Sequence, residues 1–277
     1  MNETIRIGGD LEVNRLGFGA MRLCGPGIMG LPADRENALR VLRRAVELGV
    51  NLVDTAYAYG PEVNELQVAE ALHPYPDGLV IATKGGVVRN ESGAWLRDGR
   101  PEAVRAHCEG SLRRLRLERI DIWQLHGPDR DVPIEETAGE LARLRAEGKL
   151  RHVGLSNVGV ELLERVRKIV PIVSVQNRYN LADRESEDVL EHCEREGLAF
   201  LPWYPLDVGR LAKPGGGLDR VAQARGATLA QVALAWLLHH SAVMLPIPGT
   251  ASLEHLEENV AAARLELSYD DLAALPA

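Results

Sequence analysis

The feature that most constrains the fold is an alternation of short strands and longer helices that continues along the whole chain. Apolar and β-branched runs predict strands at 16–20, 51–55, 79–83, 120–125, 152–155, 172–176, 198–202 and 243–246. Apolar residues at three- and four-residue spacing predict helices at 34–48, 64–72, 101–117, 134–147, 160–169, 185–196, 218–224, 229–239 and 252–263. The chain is therefore divided into eight strand–helix units of about 30 residues each, a usual length for such a unit.

The composition of the predicted strands indicates how the eight units pack together. Several are apolar at every position, as at 79–82, which is typical of parallel strands covered by helices on both faces. Eight units with no linker between them favour one (β/α)₈ TIM barrel over all 277 residues, in the α/β class, preceded by a short hairpin at 4–13. An open doubly wound sheet is the alternative. In a barrel, polar residues at the C-terminal strand ends meet at one mouth.

Charge and cysteine content exclude several classes of protein. A net charge of −8 supplies no basic field for nucleic acid or an anionic membrane. No run approaches the roughly 18 apolar residues of a membrane span, and no signal-like segment begins the chain. Cys24, Cys108 and Cys193 are far apart, and the histidines form no ligand pattern, so we expect reduced thiols, no metal and a cytoplasmic location. No heptad or exposed apolar stripe predicts assembly, so a monomer is expected.

One motif points elsewhere. Residues 25–30, Gly-Pro-Gly-Ile-Met-Gly, match the glycine pattern of dinucleotide-binding Rossmann folds. That pattern must open a helix directly after a strand, whereas Pro26 and Pro32 place these glycines in a loop. The segment is interpreted as a flexible loop at the barrel mouth.

The polar residues at the strand ends indicate proton transfer to a carbonyl oxygen. Asp54 ends the second strand, Lys84 the third and His126 the fourth, and both Tyr57 and Tyr59 follow Asp54. A tyrosine, with a pKa of about 10, becomes a useful acid when a neighbouring ammonium lowers that pKa, and Asp54 would keep Lys84 charged. Spacing alone does not choose between the two tyrosines. His126 either orients the carbonyl or competes for the role of acid.

In this order, the motifs resemble those of the aldo-keto reductases, barrel enzymes that use a nicotinamide cofactor without a Rossmann domain. The similar segments are 16–21, 51–60, 83–84, 125–129, 154–157, Gln176 and 247–259. The resemblance implies a catalytic tetrad of Asp54, Tyr59, Lys84 and His126, with Tyr59 selected by the family's five-residue spacing from the aspartate.

The resemblance also implies a cofactor site. Ser156, Asn157 and Gln176 would hold the nicotinamide carboxamide, and Trp203 would stack on its ring. Tyr204 departs from the serine of many relatives. The remaining implied cofactor-binding residues are Gly19, Met21, Asp54, Pro205, Leu206, Gly209, Arg210, Pro248, Gly249, Thr250, Ser252, His255, Glu258 and Asn259.

The implied activity is reduction of aldehydes and ketones, with NADP(H) preferred. NAD(H) remains possible, since this chain has Gly249 and His255 in the segment where many NADPH-specific relatives carry lysine or arginine. Similarity to a bacterial subset that includes pyridoxal reductases makes pyridoxal a candidate substrate beside small aldehydes. Two alternatives belong to other classes: a cofactor-binding regulatory subunit, and a lyase or isomerase that uses Lys84 as a Schiff base.

Overall fold

Strands and helices alternate throughout residues 4–207 and 217–275, the part of the chain that the computed structural model describes. The strands are β1 (Thr4–Ile7), β2 (Leu11–Asn14), β3 (Phe18–Gly19), β4 (Leu52–Asp54), β5 (Val80–Gly85), β6 (Val87–Arg89), β7 (Trp95–Arg97), β8 (Ile120–Leu125), β9 (Leu150–Ser156), β10 (Ile172–Gln176) and β11 (Ala199–Phe200). The helices are α1 (Arg35–Glu47), α2 (Val63–Leu72), α3 (Pro101–Leu115), α4 (Ile134–Ala146), α5 (Val160–Arg167), α6 (Glu187–Glu196), α7 (Gly217–Arg225), α8 (Leu229–His240), α9 (Leu253–Ala261) and α10 (Tyr269–Ala274).

In the described ranges, seven strands form one parallel sheet in the order β3, β4, β5, β8, β9, β10, β11. β8 lies in the middle, with Trp123 beside Thr83 of β5 and Val153 of β9. All six residues of β5 are buried, as the apolar pattern of the third strand predicted. Helices connect the successive strands, so each strand runs in the same direction as its neighbours.

The segment at 243–248 closes the sheet into a barrel, although it is not a regular strand. On one side the Leu245 amide donates to the Phe200 carbonyl at 2.8 Å. On the other, the Gly17 amide donates to the Pro246 carbonyl at 2.9 Å, and the Gly19 amide donates to the Pro248 carbonyl at 3.3 Å. The predicted barrel is thereby confirmed. The predicted eighth strand at 243–246 was wrong as a strand, because prolines have no N–H to continue a ladder.

The N-terminal hairpin covers the opposite end of the barrel. β1 and β2 pair antiparallel, with Ile5 facing Val13, which confirms the predicted hairpin. Leu11 and Val13 are buried in one apolar cluster with residues near the starts of the barrel strands, among them Leu52 and Ile122. The hairpin therefore leaves the C-terminal strand ends as the accessible mouth.

Two features near the mouth differ from the sequence-based expectations. The segment at 25–30 is a loop with a 3₁₀ turn (Pro26–Ile28), and α1 begins only at Arg35, as expected of a segment that is not a Rossmann motif, but the loop was expected to be flexible. The loop is tied down, because the Gly30 amide donates to the Gly60 carbonyl at 2.7 Å and the Gly60 amide to the Ile28 carbonyl at 3.2 Å. A second antiparallel hairpin, β6 with β7, was not predicted.

The three cysteine thiols are free and buried. Burial raises the pKa of each thiol, in Cys24, Cys108 and Cys193, to about 12. Within the described ranges every helix is too short or too polar to cross a bilayer. The same ranges contain no group of three or more His, Cys, Asp or Glu side chains that could hold a metal ion.

Candidate active site

A buried ion pair lies at the base of the mouth. Asp54 is the last residue of β4, and Lys84 is the fifth residue of β5, the adjacent parallel strand. Because both residues lie near the C-terminal ends of their strands, their side chains meet. Lys84 Nζ lies 2.5 Å from Asp54 Oδ2 and donates to the Thr55 carbonyl at 2.9 Å, and neither charged side chain is more than 3% exposed. Burial alone would lower the pKa of Lys84, but Asp54 and Tyr59 together raise it. The lysine is therefore held as an ammonium, which disfavours the Schiff-base alternative.

The tyrosine beside this ion pair is Tyr59. Its hydroxyl oxygen lies 3.3 Å from Lys84 Nζ, and its ring lines the mouth cavity. Tyr57 occupies a different environment: its ring centroid is 4.2 Å from that of His107, and the Arg114 guanidinium lies over it. The geometry favours the tyrosine that the family spacing selected.

The direction of the Tyr59 pKa differs from the expectation. Burial raises the pKa of Tyr59, and the nearby Lys84 ammonium opposes that rise without reversing it. The sequence argument considered the ammonium but not the loss of hydration, which disfavours a phenolate. Tyr59 is consequently protonated throughout the neutral pH range, and Lys84 reduces the cost of its ionisation.

His126 completes the cluster. It follows β8, and its ring stands edge-on to that of Tyr59, with centroids 5.6 Å apart. Burial, reinforced by the charges of Lys84 and Arg97, lowers the pKa of His126 well below its usual value. The imidazole is therefore neutral at physiological pH and has one N–H with which to donate a hydrogen bond.

Two amides fix the second oxygen of Asp54. Asp54 Oδ1 accepts hydrogen bonds from Gln176 Nε2 at 2.9 Å and from Gln124 Nε2 at 3.3 Å. Together with Lys84, these contacts use both carboxylate oxygens and hold them in place. Gln124 lies at the predicted end of the fourth strand, two residues before His126, but the sequence offers no reason to assign it a role.

A chain of polar contacts continues from the tetrad to Trp203. Asn157 Nδ2 donates to the His126 carbonyl at 2.9 Å and to Ser156 Oγ at 3.0 Å. Asn157 Oδ1 in turn accepts from the indole N–H of Trp203 at 3.1 Å. Asn157 has a left-handed backbone (φ 60°), a conformation that asparagine tolerates better than most residues. The contacts set the orientation of the tryptophan ring at the cavity wall.

A cavity of about 910 Å³ connects these groups to the start of α9. This volume is at the upper end of the roughly 300–1,000 Å³ typical of ligand sites. Lys84 lies beneath the cavity, with a fully buried side chain. The other predicted tetrad members and most of the predicted cofactor residues line it: Gly19, Met21, Asp54, Tyr59, His126, Ser156, Asn157, Gln176, Trp203, Pro205, Leu206, Pro248, Gly249, Thr250, His255, Glu258 and Asn259.

Three predicted cofactor residues are not part of this lining. Ser252 caps α9, and its Oγ accepts a hydrogen bond from the His255 amide at 3.3 Å. Its hydroxyl is therefore engaged at the helix end rather than exposed on the cavity wall. Gly209 and Arg210 lie outside the described residues.

The residues that line the cavity but were not predicted from the sequence include two arginines and a tryptophan. Trp95 and Arg97 belong to β7, and Arg22 follows the first barrel strand. Two β-like runs separated by Asn90, Glu91, Ser92 and Gly93 are a hairpin signal that could have found the first two. A pattern of one strand and one helix per unit does not include such a hairpin.

Comparisons with known proteins agree with this geometry. The sequence profile described as the Aldo/keto reductase family matches residues 15–277. The chain belongs to this family. It is accordingly an NAD(P)H-dependent oxidoreductase, and the tetrad cluster lies where such a barrel has its accessible mouth.

Curated relatives and solved structures match over nearly their full lengths. Pyridoxine 4-dehydrogenase of Escherichia coli (strain K12) is 43% identical over 274 residues, which cover 96% of this chain and 95% of that protein. An uncharacterized oxidoreductase of Schizosaccharomyces pombe is 49% identical over 272 residues, with 98% and 88% covered. The glycerol dehydrogenase of Gluconobacter oxydans superposes with a TM-score of 0.89 at 29% identity, covering 99% of this chain and 94% of that chain. An aldo/keto reductase from Klebsiella pneumoniae, in complex with NADP and acetate, gives a TM-score of 0.84 at 31% identity, with 99% and 94% covered.

Proposed function

We propose that this aldo-keto reductase reduces aldehydes and ketones to alcohols with NADP(H) preferred, and that Tyr59 is the general acid. The observation that carries the proposal is the Tyr59 hydroxyl, 3.3 Å from a fully buried ammonium and facing the main cavity. Two Klebsiella pneumoniae neighbours that are complexes with NADP or NADPH support the cofactor assignment. The net reaction consumes one carbonyl compound, one NADPH and one proton, and it yields one alcohol and one NADP⁺.

The residues at the tetrad end fit a nicotinamide. A carboxamide needs one hydrogen-bond donor and one acceptor, and the Ser156 hydroxyl and Gln176 Oε1 supply them. Gln176 Nε2 is already bound to Asp54, so its amide orientation is fixed with Oε1 as the acceptor. The half-buried Trp203 offers a ring face on the same cavity, in an orientation that Asn157 maintains.

The residues at the other end fit a phosphate group. The N-terminus of α9 carries free amides and a positive dipole end, which favour an anion. Thr250, His255 and the exposed Arg22 line the cavity beside it. Gly249 lies against the backbone of Gly19, where a Cβ would meet the Gly19 carbonyl oxygen, so the chain can pass closely here only without a side chain.

The chain's own residues supply the proton. When bound, the reduced nicotinamide supplies a hydride to the carbonyl carbon. The Tyr59 hydroxyl donates its proton to the carbonyl oxygen, and Lys84 stabilises the phenolate that remains. The neutral His126 donates its N–H to the same oxygen and orients the carbonyl. Asp54 keeps the ammonium charged and in place.

Small aldehydes, pyridoxal among them, are the proposed substrates. The relative named pyridoxine 4-dehydrogenase supports pyridoxal as the carbonyl partner. The cavity wall beside the tetrad is aromatic, with Trp95 edge-on to His126 at a centroid distance of 5.8 Å, which suits a flat ring.

We further propose that all 277 residues form one domain that acts as a cytoplasmic monomer.

The test is NADPH oxidation by the purified protein, followed by loss of nicotinamide absorbance, with pyridoxal and with an activated aromatic aldehyde. Turnover of either substrate, faster with NADPH than with NADH, is the expected result. If NADPH quenches tryptophan fluorescence but neither these nor other aldehydes are reduced, the protein is a cofactor-binding regulatory subunit. Turnover in which NADH is preferred would contradict the cofactor assignment.

A further inference from the structure

The β6–β7 hairpin forms one wall of the site and presents Trp95 and Arg97 to it. The two residues are two apart on β7, so their side chains lie on the same face of the strand. The Arg89 guanidinium stacks over the Trp95 ring at 3.9 Å and donates to the Ile28 carbonyl at 3.2 Å. These contacts join the hairpin to the loop at 25–30, so this wall is fixed in position.

Arg97 is held directly against the residue that orients the carbonyl. Its Nη1 atom donates to the His126 carbonyl at 3.4 Å. The guanidinium also lies against Gly127, where an added Cβ would push it aside. The position of the arginine is thus determined by the end of β8, immediately beside the reacting centre.

The charge of Arg97 is only partly balanced, by the nearby carboxylate of Asp129. Within residues 4–207 and 217–275 it forms no ion pair. Asp129 is the nearby carboxylate, but its two oxygens accept hydrogen bonds from the Gly99 and Asp131 amides. Burial lowers the pKa of Arg97 and Asp129 opposes this, although a guanidinium stays charged throughout the neutral range. Arg97 is exposed on β7 and its guanidinium has N–H donors to spare, so it can bind an anion.

A second cavity, of about 720 Å³, continues outward from this point. Trp95, Arg97 and Asn157 line both cavities, so the two spaces meet at Arg97. Arg130 also lines the outer cavity, together with the two carboxylates Asp129 and Asp131. A substrate whose carbonyl contacts Tyr59 would extend past Arg97 into this space.

We propose that Arg97 binds an anionic substituent of the substrate, a carboxylate or a phosphate, and that it makes the enzyme selective for negatively charged aldehydes. This inference rests on the reductase activity proposed above and specifies its substrate class. A planar guanidinium can bind either anion through two parallel hydrogen bonds. Trp95 on the same face of the strand covers the apolar part of the substrate.

The test compares each charged aldehyde with its neutral counterpart, with kcat/KM measured for both. The pairs are 4-oxobutanoate with its methyl ester, for a carboxylate, and glyceraldehyde 3-phosphate with glyceraldehyde, for a phosphate. In the wild type, the charged member of at least one pair should be preferred by about 10-fold or more, the range of one charge-assisted hydrogen bond. Which pair shows the preference identifies the anion.

Three variants locate the effect. Arg97→Met should reduce the charged-to-neutral ratio of kcat/KM to near one, mainly through KM for the charged aldehyde, and Arg97→Lys should keep an intermediate ratio. General damage to folding or catalysis lowers kcat/KM for both members of a pair. Its effect therefore cancels in the ratio. Arg119→Met, which removes the same charge from an exposed arginine that lines neither cavity, is the control and should leave the ratio unchanged.

Either of two results would overturn the inference while leaving the reductase proposal intact. One is a wild-type enzyme that reduces the neutral aldehydes as well as the charged ones. The other is an equal loss of selectivity in Arg97→Met and Arg119→Met, since a general electrostatic field would then be responsible. Absence of NADPH oxidation with every aldehyde would instead overturn the proposed function, and this inference with it.

Discussion

At the scale of single residues, the candidate site combines two charged side chains with two neutral hydrogen-bond donors. Asp54 and Lys84 are charged and buried, whereas Tyr59 and His126 are neutral in the physiological range. The two neutral groups face the cavity and the two charged ones lie beneath or beside them. A proton donor therefore stands ready at neutral pH without a group that has to titrate there.

This arrangement predicts the pH dependence of reduction. Because burial lowers the pKa of His126 well below 6.5, the ring is already neutral at the usual histidine pKa. The pKa values of Tyr59 and Lys84 are both raised from values near or above 10, so neither group titrates below pH 8. We expect kcat/KM to be flat between about pH 6 and 8. An inflection near 6.5 that disappears in His126→Asn would contradict a neutral histidine.

At the scale of elements, closure of the barrel depends on backbone groups rather than on a regular eighth strand. Gly19 ends β3, and its own Cβ would fall 2.6 Å from the Ile247 carbonyl oxygen. At Gly249, two residues beyond Ile247, an added Cβ would likewise meet the Gly19 carbonyl oxygen. The first strand and the closing segment can approach one another here only because both positions lack side chains.

We expect two glycine-to-alanine changes, one at the closure and one away from it, to have opposite effects on the free energy of unfolding. Gly19→Ala should lower the free energy of unfolding by about 1–3 kcal/mol, because the new methyl group meets backbone that cannot turn aside. Gly139→Ala, in the interior of α4 with open space at its Cβ position, should raise it by about 0.5–1 kcal/mol. Urea denaturation of both variants measures the difference. A Gly19→Ala protein as stable as wild type would argue against this contact.

The same elements show how far the sequence could be interpreted. The strands at 120–125 and 172–176 were predicted with the bounds of β8 and β10, because each is a mostly buried strand with a paired neighbour on both sides. The prediction failed at 243–246, where the prolines at 246 and 248 interrupt the ladder while still supplying carbonyl acceptors. The β6–β7 hairpin was missed because it belongs to no strand–helix unit. Strand periodicity therefore located the tetrad, but not the wall that carries Trp95 and Arg97.

At the scale of the whole molecule, one cavity joins two kinds of chemistry. Its tetrad end has a proton donor and an aromatic wall, and its α9 end has a helix N-terminus with small and hydroxyl residues. The hairpin of β1 and β2 covers the other end of the barrel, so a substrate reaches the tetrad from the mouth. The residues that the family resemblance implied for cofactor binding line this cavity from one end to the other, except Ser252 and the two positions outside the described ranges. What the resemblance did not supply was the direction of the Tyr59 pKa, since burial depends on the folded surroundings.

The central claim is that Tyr59, and no other tyrosine, donates the proton. The most direct measurement is the turnover number for NADPH-dependent aldehyde reduction in wild type, Tyr59→Phe and Tyr57→Phe, together with the Kd for NADPH. Tyr59→Phe should lower turnover by about 10²–10⁴ because general-acid catalysis is lost, with a nearly unchanged Kd. Tyr57→Phe, whose ring packs against His107 outside the main cavity, should retain most of the activity. Full turnover in Tyr59→Phe, with loss in Tyr57→Phe, would contradict the account.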